Sequence, residues 1–378
     1  MSKLEDYNWM LQHLKMLDST NAKILEGLGK HGPRNVLALA KLLGLPSTTV
    51  TFRIKKLMKE GLLPKIGTNL DYSKLGLMKA VLVAESKRGQ EKKLQRVVEN
   101  LDYWTYMVRC YGKYDGYYTT FAFPAEYVKE LEEYLDEAMQ LKAFSSYIFH
   151  RTTNFAQVAP NFDWFDFRDR SWGFQWKRWI DEIQNASEKL PRELIESRTY
   201  SIQVDEIDML ILKELEKDGT KKFTRLAKVA NITPQAVRYR YHKHIVDRGL
   251  ITDYDLAALP YPLPTSDMCS FIIDFESEQK LAKFVNSLQN KPFILTYGKI
   301  IGRHSLIVHT YTPKTEFSKF IDSMNRLVER RLTKSFLYVT LDITSFRRQT
   351  FSYEFFKENK WTYDHEQKLE RLKEITGK

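Results

Sequence analysis

The chain carries a long internal repeat, and no other feature of its sequence limits the possible folds so strongly. Leu17-Asp18-Ser19-Thr20-Asn21-Ala22-Lys23-Ile24-Leu25 aligns with Val204-Asp205-Glu206-Ile207-Asp208-Met209-Leu210-Ile211-Leu212. The same register carries Leu39-Ala40-Lys41 onto Leu226-Ala227-Lys228, and Val50, Arg53 and Lys56 onto Val237, Arg240 and Lys243. One residue is then inserted in the second copy. After it, Gly61-Leu62 matches Gly249-Leu250, Glu85-Ser86 matches Glu276-Ser277, Gly112-Lys113 matches Gly302-Arg303, Pro124 matches Pro313 and Trp172 matches Trp361. A register that drifts so little over most of the chain means two tandem copies of one module. No Gly/Ser-rich or Pro-rich linker separates them. The connector from Phe162 to Trp179 instead holds Trp164, Trp172, Trp176 and Trp179 with Phe162, Phe165, Phe167 and Phe174, a composition that needs burial and predicts rigidly joined modules.

Charge is placed unevenly. The net +11 comes from 59 basic and 48 acidic residues, but between Arg34 and Glu60 six cations face one acid, and between Gly219 and Gly249 eight cations face only Asp247. The stretch from Glu126 to Glu137 is acidic. Two local basic patches, not a cationic shell, point to two contacts with a polyanion. The apolar runs Ala80 to Ala84 and Phe271 to Ile273 fall far short of the roughly 18 residues a membrane span needs. No signal-peptide core opens the chain, so a soluble, cytoplasmic protein without membrane contact is expected. Cys110 and Cys269 lie in apolar strand-like stretches without ligand spacing, which predicts buried free thiols; no metal and no cofactor are expected.

Each module opens with three short helices. In the first, Asp18 caps a helix to Lys30, His31-Gly32-Pro33 stops it, a second helix runs from Asn35 to Leu43, and a third runs from a Ser47 cap to Glu60. The second module repeats the pattern with Asp205 to Asp218, Thr224 to Ala230, the turn Asn231-Ile232-Thr233, and a helix from Pro234 to about Arg248. At 100° per residue, Val50, Ile54, Leu57 and Met58 share the inward face of the third helix. The outward face carries Thr48, Phe52, Lys55 and Lys59, flanked by Thr49, Thr51, Arg53 and Lys56. Its counterpart carries Gln235, Tyr239 and His242, flanked by Arg238, Arg240 and Lys243. Hydroxyls or an amide at the amino end, with cations along the sides, suit a helix entering a DNA major groove about 12 Å wide. These fourteen residues are the candidate double-stranded DNA contacts, with Arg53 and Arg240 as candidate guanine readers. A two-stranded wing is expected after each third helix, over Leu62 to Asn69 and Leu250 to Tyr254; Asp253 and Asp255 in the second would repel phosphate and make the two grips unequal.

Beyond the third helix, both modules read strand, helix, two strands, helix, strand, which is the βαββαβ order of a ferredoxin-like α+β sandwich. The domains expected are 1–70, a winged helix-turn-helix; 71–158, an α/β domain; 159–200, an aromatic-rich helical connector; 201–260, a second winged helix-turn-helix; 261–346, a second α/β domain; and 347–378, a helical extension. Here the sequence resembles the Lrp/AsnC (feast/famine) family of prokaryotic, including archaeal, transcription regulators, each half resembling one protomer. The resemblance rests on Leu17-Asp18…Lys23-Ile24-Leu25, Leu39-Ala40, Val50…Arg53-Ile54…Leu57…Glu60-Gly61, Asn69-Leu70-Asp71-Tyr72…Leu75-Gly76 and Tyr111-Gly112-Lys113-Tyr114-Asp115. It is weaker in the second half, where Gly302-Arg303-His304-Ser305 replaces the Gly-x-Tyr-Asp pattern. The resemblance implies α/β domains paired face to face, helix-turn-helix units binding DNA as a two-fold pair, and an effector site at Tyr114, Asp115 and Gly116. Basal transcription machinery and a homodimer partner remain open.

The competing class is an enzyme of the sirohaem-decarboxylase kind on a fused Lrp-like scaffold. The eight histidines are scattered, and the sequence shows no HExxH, P-loop, nucleophile elbow or Gly-rich dinucleotide motif. A non-enzymatic regulator reading two unlike half-sites is the stronger expectation. An architectural DNA coater fits the charge but not the polar amino ends of the two third helices.

Overall fold

The computed structural model describes residues 13–377; positions 1–12 of the first expected domain and Lys378 of the last lie outside the described residues. In chain order the elements are α1 (Ser19–His31), α2 (Val36–Leu43), α3 (Ser47–Lys59), β1 (Ile66–Leu70), β2 (Leu77–Glu85), α4 (Glu91–Glu99), β3 (Trp104–Gly112), β4 (Gly116–Pro124), α5 (Val128–Gln140), β5 (Ser146–Thr152) and β6 (Ala156–Gln157). The connector adds β7 (Phe165–Asp166), β8 (Ser171–Trp172) and α6 (Trp176–Asn185). The second copy gives α7 (Glu206–Lys217), α8 (Phe223–Ala230), α9 (Pro234–Arg240), β9 (Ile251–Leu256), β10 (Ser266–Asp274), α10 (Glu278–Leu288), β11 (Ile294–Lys299), β12 (Ser305–Pro313), α11 (Lys314–Glu329) and β13 (Ser335–Leu341). The extension holds β14 (Arg347–Arg348), β15 (Phe356–Lys357), β16 (Lys360–Trp361) and α12 (His365–Thr376).

Local chemistry explains the helix ends. Asp18 and Asp205 are extended N-caps whose carboxylates accept the N–H of Asn21 and Asp208 at 2.7 and 2.9 Å. Asn35 caps α2, and Gly44 ends it in the left-handed region. Ser47 is the first residue of α3 and not its cap; Pro46 holds that position and supplies no side-chain acceptor. The residue inserted in the second copy also has a structural expression. The third helix of the first unit is α-helical to Lys59, whereas α9 passes at Arg240 into a π-helical turn over Tyr241–Val246. A π turn takes up one extra residue without ending the helix.

The expected wings are not hairpins. Each unit contributes a single strand, and the two strands pair with each other, with Ile66 opposite Leu256, Thr68 opposite Tyr254 and Asn69 opposite Asp253. The two helix-turn-helix units therefore hang on one shared antiparallel ladder. A lone strand in each copy leaves a row of backbone groups unpaired, and its repeat counterpart satisfies them.

Both α/β halves have the βαββαβ order. Their strands run β5-β2-β4-β3-β13-β10-β12-β11-β6, and β14 also pairs with β3. The halves join where β3 meets β13, Gly112 opposite Val339. At the far side Thr152 bridges Ile300 and β6 pairs with β11, so the sheet curls back on itself. Its helix-free faces meet inside, with Val81, Val83, Val108 and Tyr118 of the first half against Ile272, Ile307 and Leu341 of the second. Face-to-face packing of the two halves is thus completed within one chain.

The aromatic extensions cross over. The connector lays Trp176 and Trp179 on Phe293 and Phe320 of the second α/β half. The carboxyl-terminal extension lays Phe351, Phe356, Trp361 and Leu372 on the first half, where Trp361 Nε1 donates to the Leu75 carbonyl at 2.7 Å. Each module thereby covers the helix layer of the other, and burial of these large rings welds the two copies together.

Candidate nucleic-acid interface

The third helix of the first unit is anchored by Val50, Ile54 and Leu57, all buried. Met58 is 40% exposed and joins the outer face, against expectation, one residue before the helix ends at Lys59. Thr48, Thr51, Phe52, Lys55, Lys56 and Lys59 are exposed, and Thr49 and Arg53 partly so. In the second unit Val237, Tyr241 and Ile245 anchor, while Gln235, Arg238, Tyr239, His242 and Lys243 are exposed. Phe52 and Tyr239, at matching positions, are 65% and 61% exposed. Lys243 lies beside Asp247 at 2.9 Å, a solvated pair one helical turn apart that phosphate could displace.

Arg53 and Arg240 differ from their neighbours. Arg53 donates to Asp18 at 2.6 Å and to Asn21 Oδ1 at 3.0 Å. Arg240 donates to both oxygens of Asp205 and to Asp208 Oδ1 at 2.7–2.9 Å, and His244 Nδ1 lies 2.8 Å from the other oxygen of Asp208. The two aspartates hold the Arg240 guanidinium firmly protonated despite its partial burial. Each arginine ties the third helix to the cap of the first helix 35 residues earlier. In this structure both guanidinium groups are engaged by side chains of their own unit. The sequence held the signal, because Asp18 and Arg53 recur together as Asp205 and Arg240.

The acids of the second strand also sit otherwise than expected. Asp255 is enclosed between Lys65 at 3.4 Å and Arg348 at 2.5 Å, whose charges hold its carboxyl below the usual range against the effect of burial. Asp253 is half-buried and accepts from Asn69 Nδ2 at 2.5 Å; its partial burial raises its carboxyl to about 6. Pairing β9 with β1 turned these side chains toward protein, so they do not face a phosphate backbone, and Lys65 is committed to Asp255. The network continues through Glu216, which accepts from Tyr72 Oη at 2.6 Å and the Phe351 N–H at 3.0 Å. It locks the second helix-turn-helix unit to the first α/β half.

At the Gly-x-Tyr-Asp turn, Tyr114 packs on the inter-half core and Asp115 pairs with Arg109 at 3.0 Å. Gly116 has a steric reason: a Cβ there would lie 1.9 Å from the Ala84 carbonyl oxygen. Lys299, the repeat counterpart of Arg109, instead pairs with Glu196 of the connector, which also accepts the Gly302 N–H at 3.1 Å. Among the described residues there is no group of three or more His, Cys, Asp or Glu side chains placed to hold a metal, and no helix is long and apolar enough to cross a membrane. Cys110 and Cys269 are both buried free thiols.

Comparison with known proteins agrees with this geometry. Residues 17–63 match the model of winged helix-turn-helix DNA-binding domains, and residues 204–243 match the AsnC-type helix-turn-helix domain. The HTH-type transcriptional regulator LrpA of Pyrococcus abyssi is 32% identical over 104 residues, which are 28% of this chain and 72% of LrpA. The chain belongs to the Lrp/AsnC family. An uncharacterized HTH-type transcriptional regulator of Pyrococcus furiosus is 44% identical over 63 residues, 17% of this chain; this Lrp/AsnC chain spans 42% of that relative's length. A solved siroheme decarboxylase, NirDL, shares the fold of nearly the whole chain, with 12% identity, a TM-score of 0.52, and coverage of 95% of this chain and 99% of that one.

Proposed function

We propose that the chain is a sequence-specific, double-stranded DNA-binding transcription regulator, not an enzyme, whose two unlike recognition helices read two unlike half-sites of one duplex. The observation that carries this reading is the pair of exposed helix faces. Thr48, Thr49, Thr51, Phe52, Lys55, Lys56 and Lys59 lie on one, and Gln235, Arg238, Tyr239, His242 and Lys243 on the other. Short polar groups at the amino ends suit base edges, the cations suit phosphate, and an exposed aromatic at matching positions suits a thymine methyl or a sugar. Arg53 and Arg240 serve by orienting the helices. An effector at Tyr114, Asp115 and Gly116 would act in the first half, where Asp115 is open to solvent. The domain division given above, a cytoplasmic location and contact with the basal transcription machinery belong to the same reading.

The enzyme alternative is favoured by the whole-chain fold shared with NirDL, but a shared fold hosts many functions. His309, the histidine deepest between the halves, has both ring nitrogens engaged, by Tyr118 Oη at 2.8 Å and Thr296 Oγ1 at 2.7 Å, and burial lowers its pKa to about 4. Selection of binding sites from random duplexes at fixed salt, beside an absorbance scan after incubation with sirohaem, tests both. An enriched two-part site without a bound-tetrapyrrole band supports the regulator; the reverse outcome refutes it.

A further inference from the structure

We propose that Arg34 fixes the distance and rotation between the two recognition helices, and through them the half-site spacing that the chain accepts. The proposal rests on the DNA-binding reading above. Arg34 stands in the loop between α1 and α2 of the first unit, among the cations expected to meet phosphate. In the structure it reaches into the second unit. Its Nη1 donates to the carbonyls of Gly219 at 3.0 Å and Lys221 at 3.2 Å. Its guanidinium carbon lies 4.8 Å from the ring centre of Phe223, which opens α8, and 4.6 Å from that of Tyr241, which begins the π turn of the recognition helix. A guanidinium can stack on rings and donate in its plane at once; a lysine ammonium cannot do both. With Nη1 on two protein carbonyls and its plane against two rings, Arg34 is placed as a joint between the units.

Two further observations make the joint specific. Gly32, in the same loop, packs against Tyr254 of β9; a Cβ there would lie 2.3 Å from a ring carbon, and its φ of +74° also favours glycine. The loop thus touches the shared ladder as well as the second unit. The β1–β9 ladder and the Glu216 network hold α7 and β9 of the second unit, and Arg34 adds a direct attachment from the first unit to α8 and to the π turn of the second recognition helix. The repeat counterpart of Arg34, Lys221, pairs with Glu214 of its own unit. The Arg34 contact is therefore made from the first unit and is not repeated by its counterpart Lys221.

The test uses the full chain and the site found by selection, with spacers lengthened or shortened by up to three base pairs. Each base pair rotates one half-site by roughly 35° relative to the other. Wild type should lose about tenfold or more in affinity at two base pairs from the optimum. Arg34→Ala should vary by less than about threefold over the same set, with little change on random DNA, and Arg34→Lys should behave like Arg34→Ala. A wild-type spacing profile in Arg34→Ala overturns the proposal. So does a uniform loss on every duplex, which would make Arg34 a phosphate contact. A second measurement needs no DNA: spin labels at Lys41→Cys and Lys228→Cys, both exposed positions, with the two native cysteines buried. The distance distribution should be narrow in wild type and broad with Arg34→Ala; an unchanged distribution overturns the joint alone. A wild type that prefers no site would remove the DNA-binding reading and the spacing role together.

Discussion

Replacing Asp253 by asparagine should stabilise this protein at neutral pH, although the change removes a hydrogen-bonded carboxylate. Asp253 faces Asn69 across the ladder that carries both helix-turn-helix units. Burial raises its carboxyl from 3.8 to about 6; the Asn69 side chain and the Gln157 N–H oppose the rise, and nearby Asp255 and Glu193 add to it. A displacement of about two pH units corresponds to about 3 kcal/mol, and about 1–3 kcal/mol is the range to expect. The sign follows from proton uptake. Between pH 4 and 6 the folded chain binds the proton that the unfolded chain releases, so this contribution is full below about pH 4 and is lost as pH rises through about 6. Asp253→Asn keeps an acceptor for Asn69 without the charge. The variant should match wild type near pH 4 and exceed it by about 1–3 kcal/mol at pH 7. His309 acts in the opposite sense: burial lowers its pKa from 6.5 to about 4, so its contribution is full above 6.5 and is lost as pH falls toward 4. Because the two slopes oppose each other in wild type, the variant should show the His309 decline uncovered. Urea unfolding followed by tryptophan fluorescence at half-unit steps from pH 4 to 8 gives both curves. A difference curve that stays flat across pH 4–6, or a variant weaker than wild type at pH 7, would refute the reasoning.

Arg53→Ala and Arg240→Ala should each lower stability by about 1–3 kcal/mol, less than the loss for a fully buried pair because both side chains keep some solvent contact. The selected site should keep its sequence; a lost guanine preference at unchanged stability would return both residues to base reading. Phe52→Ala and Tyr239→Ala should leave stability within about 0.5 kcal/mol, since both rings are exposed, yet lower affinity for the selected site about fivefold and not for random DNA. Lys59→Ala should weaken all sequences alike and reduce the salt slope by about one, as measured by anisotropy titrations. Gly116→Ala should abolish soluble expression or cost more than about 3 kcal/mol in thermal melts, because the clash is with the backbone of the neighbouring strand and cannot relax through a rotamer.

What could be read in advance was whatever the repeat or a local period encodes. Six helices of the two helix-turn-helix units follow from caps and stops such as Asp18, Gly44 and Pro234, whose preferences act within one turn. The βαββαβ order follows from alternating and helical periods in turn. The candidate outward faces were legible from the same wheel that placed Val50 and Val237 inside. What escaped prediction was pairing between copies. A strand such as Ile66–Leu70 carries no mark that its partner is more than 180 residues away, so a local hairpin was assumed. The error then spread to Asp253 and Asp255, read as exposed repellers because their partners come from two distant segments, Lys65 and Asn69 from one and Arg348 from the other. Arg34 was counted only within a basic patch for the same reason: the fold alone brings Phe223 and Tyr241 beneath it.

Fusing the two copies changes what asymmetry can achieve. Two identical protomers can present only identical recognition helices, whereas a single chain can alter one copy and leave the other. Here the alterations include the two helix-turn-helix units. The π turn at Tyr241–Val246 belongs to the second unit; the matching helix of the first is α-helical to Lys59, and the π turn absorbs the inserted residue so that Ile245 is buried as Leu57 is. Asp208, which binds both Arg240 and His244, stands where the first unit has Asn21, which binds Arg53 and the Met16 carbonyl. The ladder and the crossed aromatic extensions, by contrast, keep their two-fold relation, because each half of them buries the apolar surface of the other and a change on one side would leave a cavity on both. Divergence is therefore cheap on the outward helices and costly at the seam. A duplicated regulator under that constraint should evolve new half-site preferences faster than new spacing, since the seam sets how the two units sit and, on the proposal above, Arg34 adds to it.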